Sequence, residues 1–363
     1  AGPLDESAFR EAVRQSVARH PLLQAVVRRR PFRRPVWEAT SQQPQVSFEQ
    51  ADSSLHEDET EALRPAELPP LDISAEPGLR LHVSVGAARS TLCCQVHHCC
   101  TDGPGMHRFL GDVLAIYGQM TAFDDPPELL PLDPELLRQR DQWPPAAKQA
   151  IRSLGYWKEF ARAARGYFFR DPTPVAAADD AAGIPAVGSH SCFLDRESVR
   201  SLRRFVQQRR LTINDVLASE LLRCLQQWQE KRGGTDRQLL RLIIPVDLRS
   251  GDRGAMPAAN CLHIAFFGFR IRDLRDCDDL AAATNAKVRS LFETFGTTHF
   301  DVGLRLAQLV PGLLEWRAPR GTRHGTALLS SLGDPTRYYA ARFPRRDGRC
   351  VAGSLVLERV AVR

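Results

Sequence analysis

Lysine is scarce in this sequence. Only Lys148, Lys158, Lys231 and Lys287 stand among its 49 basic residues, so the net charge of +6 is an arginine charge. Aromatic residues make up only 7%, and a single one, Phe32, stands within the densest basic cluster, Arg28, Arg29, Arg30, Arg33 and Arg34. No nucleic-acid module is recognisable either, so no nucleic-acid partner is expected. No apolar run approaches the roughly twenty residues of a membrane span; the stretch 262–269 is among the longest and reads as a buried strand. The absence of a Gly-x-Ser-x-Gly elbow argues against a thioesterase-like hydrolase. The nine cysteines are unevenly clustered and lack the spacing of a disulfide framework, and no charged-then-apolar leader stands at Ala1. A reducing, cytoplasmic setting is therefore expected. The 363 residues, 43% apolar and 25% charged, suit a globular protein of two domains or one large one.

What the chain does have is His97-His98-Cys99-Cys100-Thr101-Asp102-Gly103. The preceding stretch 89–96 is short and β-prone. From Met106 onward, Phe109, Leu110, Val113, Leu114 and Tyr117 repeat at the period of a helix with one buried face. Pro104 suits a first helical turn, where its missing N–H is not needed. The motif is thus expected at a strand-to-helix elbow. Neighbouring strand residues point to opposite faces, so one imidazole should enter a cleft while the other packs or hydrogen-bonds into the wall. Asp102 is expected in an ion pair that locks the elbow, because a carboxylate leaving water needs a charged partner. Gly103 permits a close backbone approach to a ligand. A histidine of near-neutral pKa in such a cleft suits a general base. One histidine on an apolar strand is more often a satisfied core residue, but two beside an Asp-Gly at fixed spacing favour function.

Cys93, Cys94, His97, His98, Cys99 and Cys100 also raise the question of a metal. Zinc sites draw paired ligands from turns, with a second pair farther on. Here the candidates are doubled and expected to alternate across a strand, and no second pair with ligand spacing follows. No metal site is expected, and the cysteines read as small buried hydrophobes.

The His97 to Gly103 run matches the HHxxxDG signature and resembles the CoA-dependent acyltransferase superfamily, which includes nonribosomal-peptide condensation domains, polyketide-associated acyltransferases and chloramphenicol acetyltransferase. Softer likenesses occur in the same order: Gly2-Pro3-Leu4-Asp5, Arg19-His20-Pro21-Leu22-Leu23, Leu71-Asp72-Ile73-Ser74 with Pro77-Gly78-Leu79-Arg80, and Thr212 to Leu217. Pro245-Val246-Asp247-Leu248-Arg249 resembles a family strand end, and Leu329 to Asp334 a late strand bordering the channel. The resemblance implies that His98 is the catalytic base and that Asp102 is a structural carboxylate paired with Arg249, with His97 structural beside them. It also implies that Gly103, Asn260 and Ser330 line a substrate channel. Many relatives carry a late Asp-Phe-Gly-Trp-Gly run, an extra opening segment and a closing strand and helix. None of these is found here, so a fragment or shortened protein is expected.

The layout predicts an α/β fold of two chloramphenicol-acetyltransferase-like lobes with a tunnel between them: residues 1–172, a Pro-, Ala- and Gly-rich linker 173–190 containing Asp179-Asp180, and residues 191–363. Helices are expected over 6–19, 146–169, 196–209, 212–232, 280–295 and 302–316, besides the motif helix. Strands are expected over 22–29, 36–40, 79–85, 91–97, 239–246, 262–271, 327–332 and 351–360, with an acidic loop at 52–67 and a surface connection at 124–145. Thr212 is expected to cap its helix with Asp215. In this picture Arg249 and Ser330 come from the second lobe, and Asp102–Arg249 ties the lobes together.

The expected activity is acyl transfer from a CoA or carrier-protein thioester to an amine or hydroxyl on a small-molecule acceptor. No permanently bound cofactor is implied. Acyl-CoA or a phosphopantetheine-linked acyl group is the donor substrate, and an acyl or peptidyl carrier protein is an implied partner; arginine forks grip phosphate well. The alternative expectation is a catalytically silent module that binds a carrier protein or ligand.

Overall fold

The computed structural model describes residues 1–30, 35–51, 68–122, 124–176, 192–249, 255–313, 324–339 and 341–360, with the backbone alone of Phe168 and Phe169. Arg33, Arg34, the acidic stretch 52–67, most of the expected linker with Asp179-Asp180 and the end of the 302–316 helix lie outside the described residues. The chain forms two compact units, both discontinuous in sequence. One comprises Ala1–Gln142, Arg249–Cys261 and Leu332–Arg363; the other comprises Trp143–Leu248 and Leu262–Ser331.

The first unit opens with α1 (Glu6–Arg19). Asp5 caps it by accepting the Ala8 N–H, and Glu6 and Arg19 sit at the ends that the helix dipole favours. Its buried residues Phe9, Ala12, Val13, Ser16 and Val17 form one stripe. A short 3-10 turn leads into β1 (Ala25–Arg28), which pairs antiparallel with β2 (Val36–Ala39). Next come β3 (Gln45–Gln50), β4 (Leu79–Val85) and β5 (Ser90–Val96), with β4 central, parallel to β3 and antiparallel to β5. β3 was not expected as a strand. It is an edge strand that offers only Val46 and Phe48 to the core between polar neighbours. The motif helix is α2 (Gly103–Thr121), buried over most of its surface. Leu79, Leu81 and Val83 point to one face of β4 and pack with Phe9, Val13, Phe109, Val113 and Tyr117. β6 (Glu128–Leu129) follows in the expected surface connection.

In the second unit the helix expected over 146–169 is two, α3 (Pro145–Ala150) and α4 (Leu154–Phe169). The break falls where Ser153 caps α4 through the Tyr156 N–H. α5 (Arg196–Gln208) precedes α6 (Ile213–Glu230), whose start is a reciprocal capping box. Asp215 N–H donates to Thr212 Oγ1 at 3.1 Å, and Thr212 N–H donates to Asp215 Oδ2 at 2.8 Å. β7 (Leu239–Asp247) is the central strand here, antiparallel to β8 (Leu262–Arg270) and parallel to β9 (Ala327–Leu328). α7 (Ile271–Arg275) and α8 (Leu280–Glu293) help to close a core of Leu222, Leu240, Leu242, Phe267, Phe269, Ile271 and Leu280. α9 (His299–Ala307) ends this unit's helices among the described residues.

The chain then returns to the first unit. β10 (Ala341–Arg342) pairs with β6, and β11 (Arg345–Arg346), β12 (Arg349–Ala352) and β13 (Leu355–Val356) form a small meander. The single strand expected over 351–360 is interrupted at Gly353, whose φ is +57° and where a Cβ would strike Thr121. Hydrogen bonds from Tyr117 to Ser354 and from the Ala1 ammonium to the Val356 carbonyl fasten this return to the first unit. The boundary expected near residue 172 thus falls between 142 and 143, and 249–261 and 332–363 join the first unit rather than the second. Among the described residues no helix is long and apolar enough to cross a membrane.

Candidate active site

β5 stops at Val96, and its neighbours reverse direction at once. His97 N–H donates to Gly78 O, and Cys100 N–H donates back to His97 O, both at 2.9 Å. The two histidines therefore stand in a turn beyond the strand, not on alternate faces of it as the sequence suggested. His97 is half-buried and its Nδ1 accepts the Cys99 N–H at 3.2 Å. His98 is exposed. Asn260 reaches it twice through Nδ2, which donates to the His98 carbonyl at 3.0 Å and lies 3.1 Å from His98 Nδ1.

The cysteines of the motif divide between wall and surface. Cys100 is fully buried and fills the space that a side chain at position 78 would need. Cys99 is exposed, and Cys93 and Cys94 are half-buried on β5. Burial pushes the thiols of Cys94 and Cys100 up to about 12.

Asp102 is the most heavily bonded side chain here. Its carboxylate is fully enclosed and meets Arg249, itself 6% exposed, in a two-pronged pair: Nη2 to Oδ1 at 2.8 Å and Nη1 to Oδ2 at 2.9 Å. Oδ1 also caps α2 through the Gly105 N–H at 2.8 Å, and Oδ2 accepts the Cys261 N–H at 2.7 Å. Arg249 Nη2 donates further to Ala259 O at 2.6 Å. Arg249 was expected from the second lobe; it belongs with Asp102 in the first unit, so their pair is internal to that unit.

The sequence reading missed the segment that receives these bonds. Residues 255–261 are tied down along their length: Ala255 O accepts from Asp133 N–H, Met256 O from Arg108, and Ala258 N–H donates to His20 Nδ1. Met256, Ala258 and Ala259 are fully buried. The run Pro257-Ala258-Ala259 was a signal of sorts, since small residues let backbones approach closely. At Gly105 a Cβ would lie 3.0 Å from Ala259 N and O and 2.2 Å from Thr101 Oγ1, so only glycine fits opposite that segment.

Of the other expected site residues, Gly103 begins α2, and the space where its side chain would stand is taken by Leu332, 2.7 Å from an ideal Cβ. Ser330 is exposed and belongs to the other unit. Arg28, Arg29 and Arg30 are exposed, with Arg28 donating to Ser74 O. The structure thus brings His98, Asn260, Asp102 and Arg249 together within one unit, with His97 in the same turn and Gly103 at the helix start.

A family model described as Condensation domain matches residues 1–233. Chondramide synthase of Chondromyces crocatus is 29% identical over 234 residues, a match that takes 59% of this chain and 5% of that protein; the chain spans only a small part of the relative's length. Among solved structures, the first condensation domain of the CDA synthetase superposes with a TM-score of 0.59 at 17% identity, covering 81% of this chain and 68% of that one. The SgcC5 protein of Streptomyces globisporus gives 0.60 at 17% identity, covering 98% and 75%. Polyketide synthase associated protein 5 of Mycobacterium tuberculosis gives 0.52 at 20% identity, covering 82% and 68%. At these identities the structural likeness speaks for the fold: mixed helices and sheets in the arrangement of condensation domains and chloramphenicol acetyltransferase, as expected.

Proposed function

Because this chain belongs to the condensation-domain family, we propose that it transfers an acyl group from a thioester to an amine or hydroxyl acceptor. The observation that carries this reading is the exposed His98 imidazole, held in a tight turn by Asn260 and backed by the buried Asp102–Arg249 pair. The acceptor nitrogen or oxygen attacks the thioester carbonyl carbon. The new C–N or C–O bond forms, the C–S bond breaks, and sulfur leaves as thiolate. His98 takes the acceptor's proton and returns it to the leaving sulfur, so charge and atoms balance. A hydroxyl needs this base early because it is a weak nucleophile; a neutral amine depends as much on positioning.

For Nε2 to accept, Nδ1 must carry the ring proton. Asn260 must then turn its amide oxygen towards Nδ1 and release the His98 carbonyl. We assign the donor to acyl-CoA or to an acyl or peptidyl group on the phosphopantetheine arm of a carrier protein, in nonribosomal-peptide or related biosynthesis. The acceptor is a small molecule or a second carrier-bound group. Gly103 is retained as a channel residue in this proposal.

The test is incubation with a panel of acyl-CoA and acyl-carrier donors and several amine and alcohol acceptors, read by mass spectrometry, with His98→Ala in parallel. Removing a general base lowers turnover by roughly 10²–10⁴. Product formed equally well by His98→Ala refutes the assigned role. A donor or carrier that binds tightly without product from any acceptor would favour the silent binding module instead.

A further inference from the structure

A buried histidine also reaches the segment that carries Asn260. His20 terminates α1 and has no exposed surface. Its Nδ1 accepts the Ala258 N–H at 2.8 Å. An imidazole nitrogen that accepts carries no proton, so the ring proton sits on Nε2 and is donated to Asp112 Oδ2 at 3.2 Å. Arg19 Nε donates to the same oxygen at 2.5 Å, and Arg19 Nη2 donates to Leu130 O at 2.6 Å. Phe109 meets the His20 ring edge-on, with centroids 5.6 Å apart. Burial pushes the His20 pKa below its ordinary value, so the neutral ring, with an acceptor at Nδ1, is the form this enclosure keeps.

We infer that His20 is a positioning residue for His98, acting through the backbone 258–260. This rests on the acyl-transfer reading above. Three consecutive residues of that backbone are anchored in turn. Ala258 is held by His20, and Ala259 by Asp102 N–H and Arg249 at its carbonyl. Asn260 spends its side-chain amide on His98. Ala258 is fully buried, so an N–H deprived of its acceptor there has no water to turn to. The segment must then shift, and the Asn260 amide shifts with it. Misplacement of a catalytic group by an ångström can cost about a hundredfold in rate.

Two variants split the ring's functions. His20→Asn places an amide oxygen near the Nδ1 position and keeps an acceptor for Ala258 while giving up Asp112. His20→Gln places amide nitrogen near the Nε2 position, keeping a donor for Asp112 while giving up the acceptor. The expected result is a kcat about ten- to a hundredfold lower in His20→Gln with KM nearly unchanged, and a kcat near the parent's in His20→Asn. Activity is not the sole readout. Hydrogen exchange at Ala258 and the ring resonances of His98 in histidine-labelled protein should move in His20→Gln and stay parent-like in His20→Asn. If His20→Gln does not fold, Ala258→Pro removes the donor instead and should move the same His98 resonances. The inference is overturned if the His98 resonances stay parent-like whenever the Ala258 bond is lost, or if the two His20 variants behave alike. A parent protein without transferase activity sinks the acyl-transfer reading, while exchange and resonances still decide the coupling.

Discussion

Asp102→Ala removes three supports at once, and their sizes can be worked from the geometry. The cap of α2 through Gly105 is worth about 1 kcal/mol. The partner of a guanidinium only 6% exposed is lost, which costs about 3–5 kcal/mol when one half of a buried pair goes. The Cys261 N–H loses its acceptor, at about 1–3 kcal/mol. These overlap, because water entering the vacated space would serve more than one group, so the expected loss is about 4–5 kcal/mol. That is a large part of the roughly 5–15 kcal/mol that holds a domain. Arg249→Met strands the carboxylate instead and should cost about 3 kcal/mol or more. The double variant Asp102→Ala/Arg249→Met removes both charges and should be more stable than the sum of the single losses by about 2 kcal/mol. The assay is pulse alkylation of the buried thiols Cys100 and Cys261 across a urea series, which reports on the first unit alone. A loss under about 1 kcal/mol in Asp102→Ala, or strict additivity in the double variant, would refute the reasoning.

Two glycine substitutions should act with opposite signs. Gly105→Ala gains about 1 kcal/mol of helix propensity, but its methyl meets Thr101 Oγ1 and the backbone of Ala259, at a cost of about 1–3 kcal/mol. Gly166→Ala, inside α4 with nothing within 4 Å, should stabilise by about 0.5–1 kcal/mol; thermal melts giving both changes the same sign would contradict this. The buried histidines also set a pH dependence. His20 and His107, and the half-buried His299 with them, have pKa values lowered from 6.5 by burial. Below that value the unfolded chain takes up protons that the folded chain does not. The stability of the buried neutral rings is therefore complete above pH 6.5 and is lost as pH falls towards their folded values. Unfolding free energies from urea titrations should be lower at pH 5.5 than at pH 7.5, and the drop should be smaller in His20→Asn by at most about 1.4 kcal/mol per pH unit; an undiminished drop would show that His20 does not contribute.

The sequence made some of this legible and concealed the rest for identifiable reasons. The motif helix, the β4 strand and the Thr212–Asp215 capping box rest on periodicity and local spacing, and they stand where expected. Cys93-Cys94-Gln95-Val96 runs into His97 without glycine or proline, so nothing local marked the end of β5 or moved the histidines into a turn. Residues 173–190 read as a linker by composition, yet the chain passes between its units at 142/143, 248/249, 261/262 and 331/332. Those crossings are fixed by contacts between distant residues. The site's floor was hidden for the same reason. Ala258, Ala259 and Cys261 contribute through backbone N–H and C=O groups, which every non-proline residue carries and no motif can spell. His20 and Ala258 are 238 positions apart.

The full complement of bonds on Asp102 bears on how His98 can work. An ionised carboxylate offers about four acceptor positions. Here they meet the Gly105 N–H, the Cys261 N–H and the two prongs of Arg249. None is left for the imidazole four residues earlier in the chain, so the site does not have the Ser-His-Asp arrangement in which a carboxylate orients the base. The charge of Asp102 is spent on holding the elbow and the 255–261 floor in one geometry. Orientation of His98 falls to Asn260, a neutral group that does not titrate and meets the imidazole at Nδ1. On the acyl-transfer reading proposed above, a base arranged this way is not oriented by the Asp102 carboxylate. Its reach towards substrate then depends on how firmly the floor is fixed, which is why a histidine as remote as His20 can matter to it.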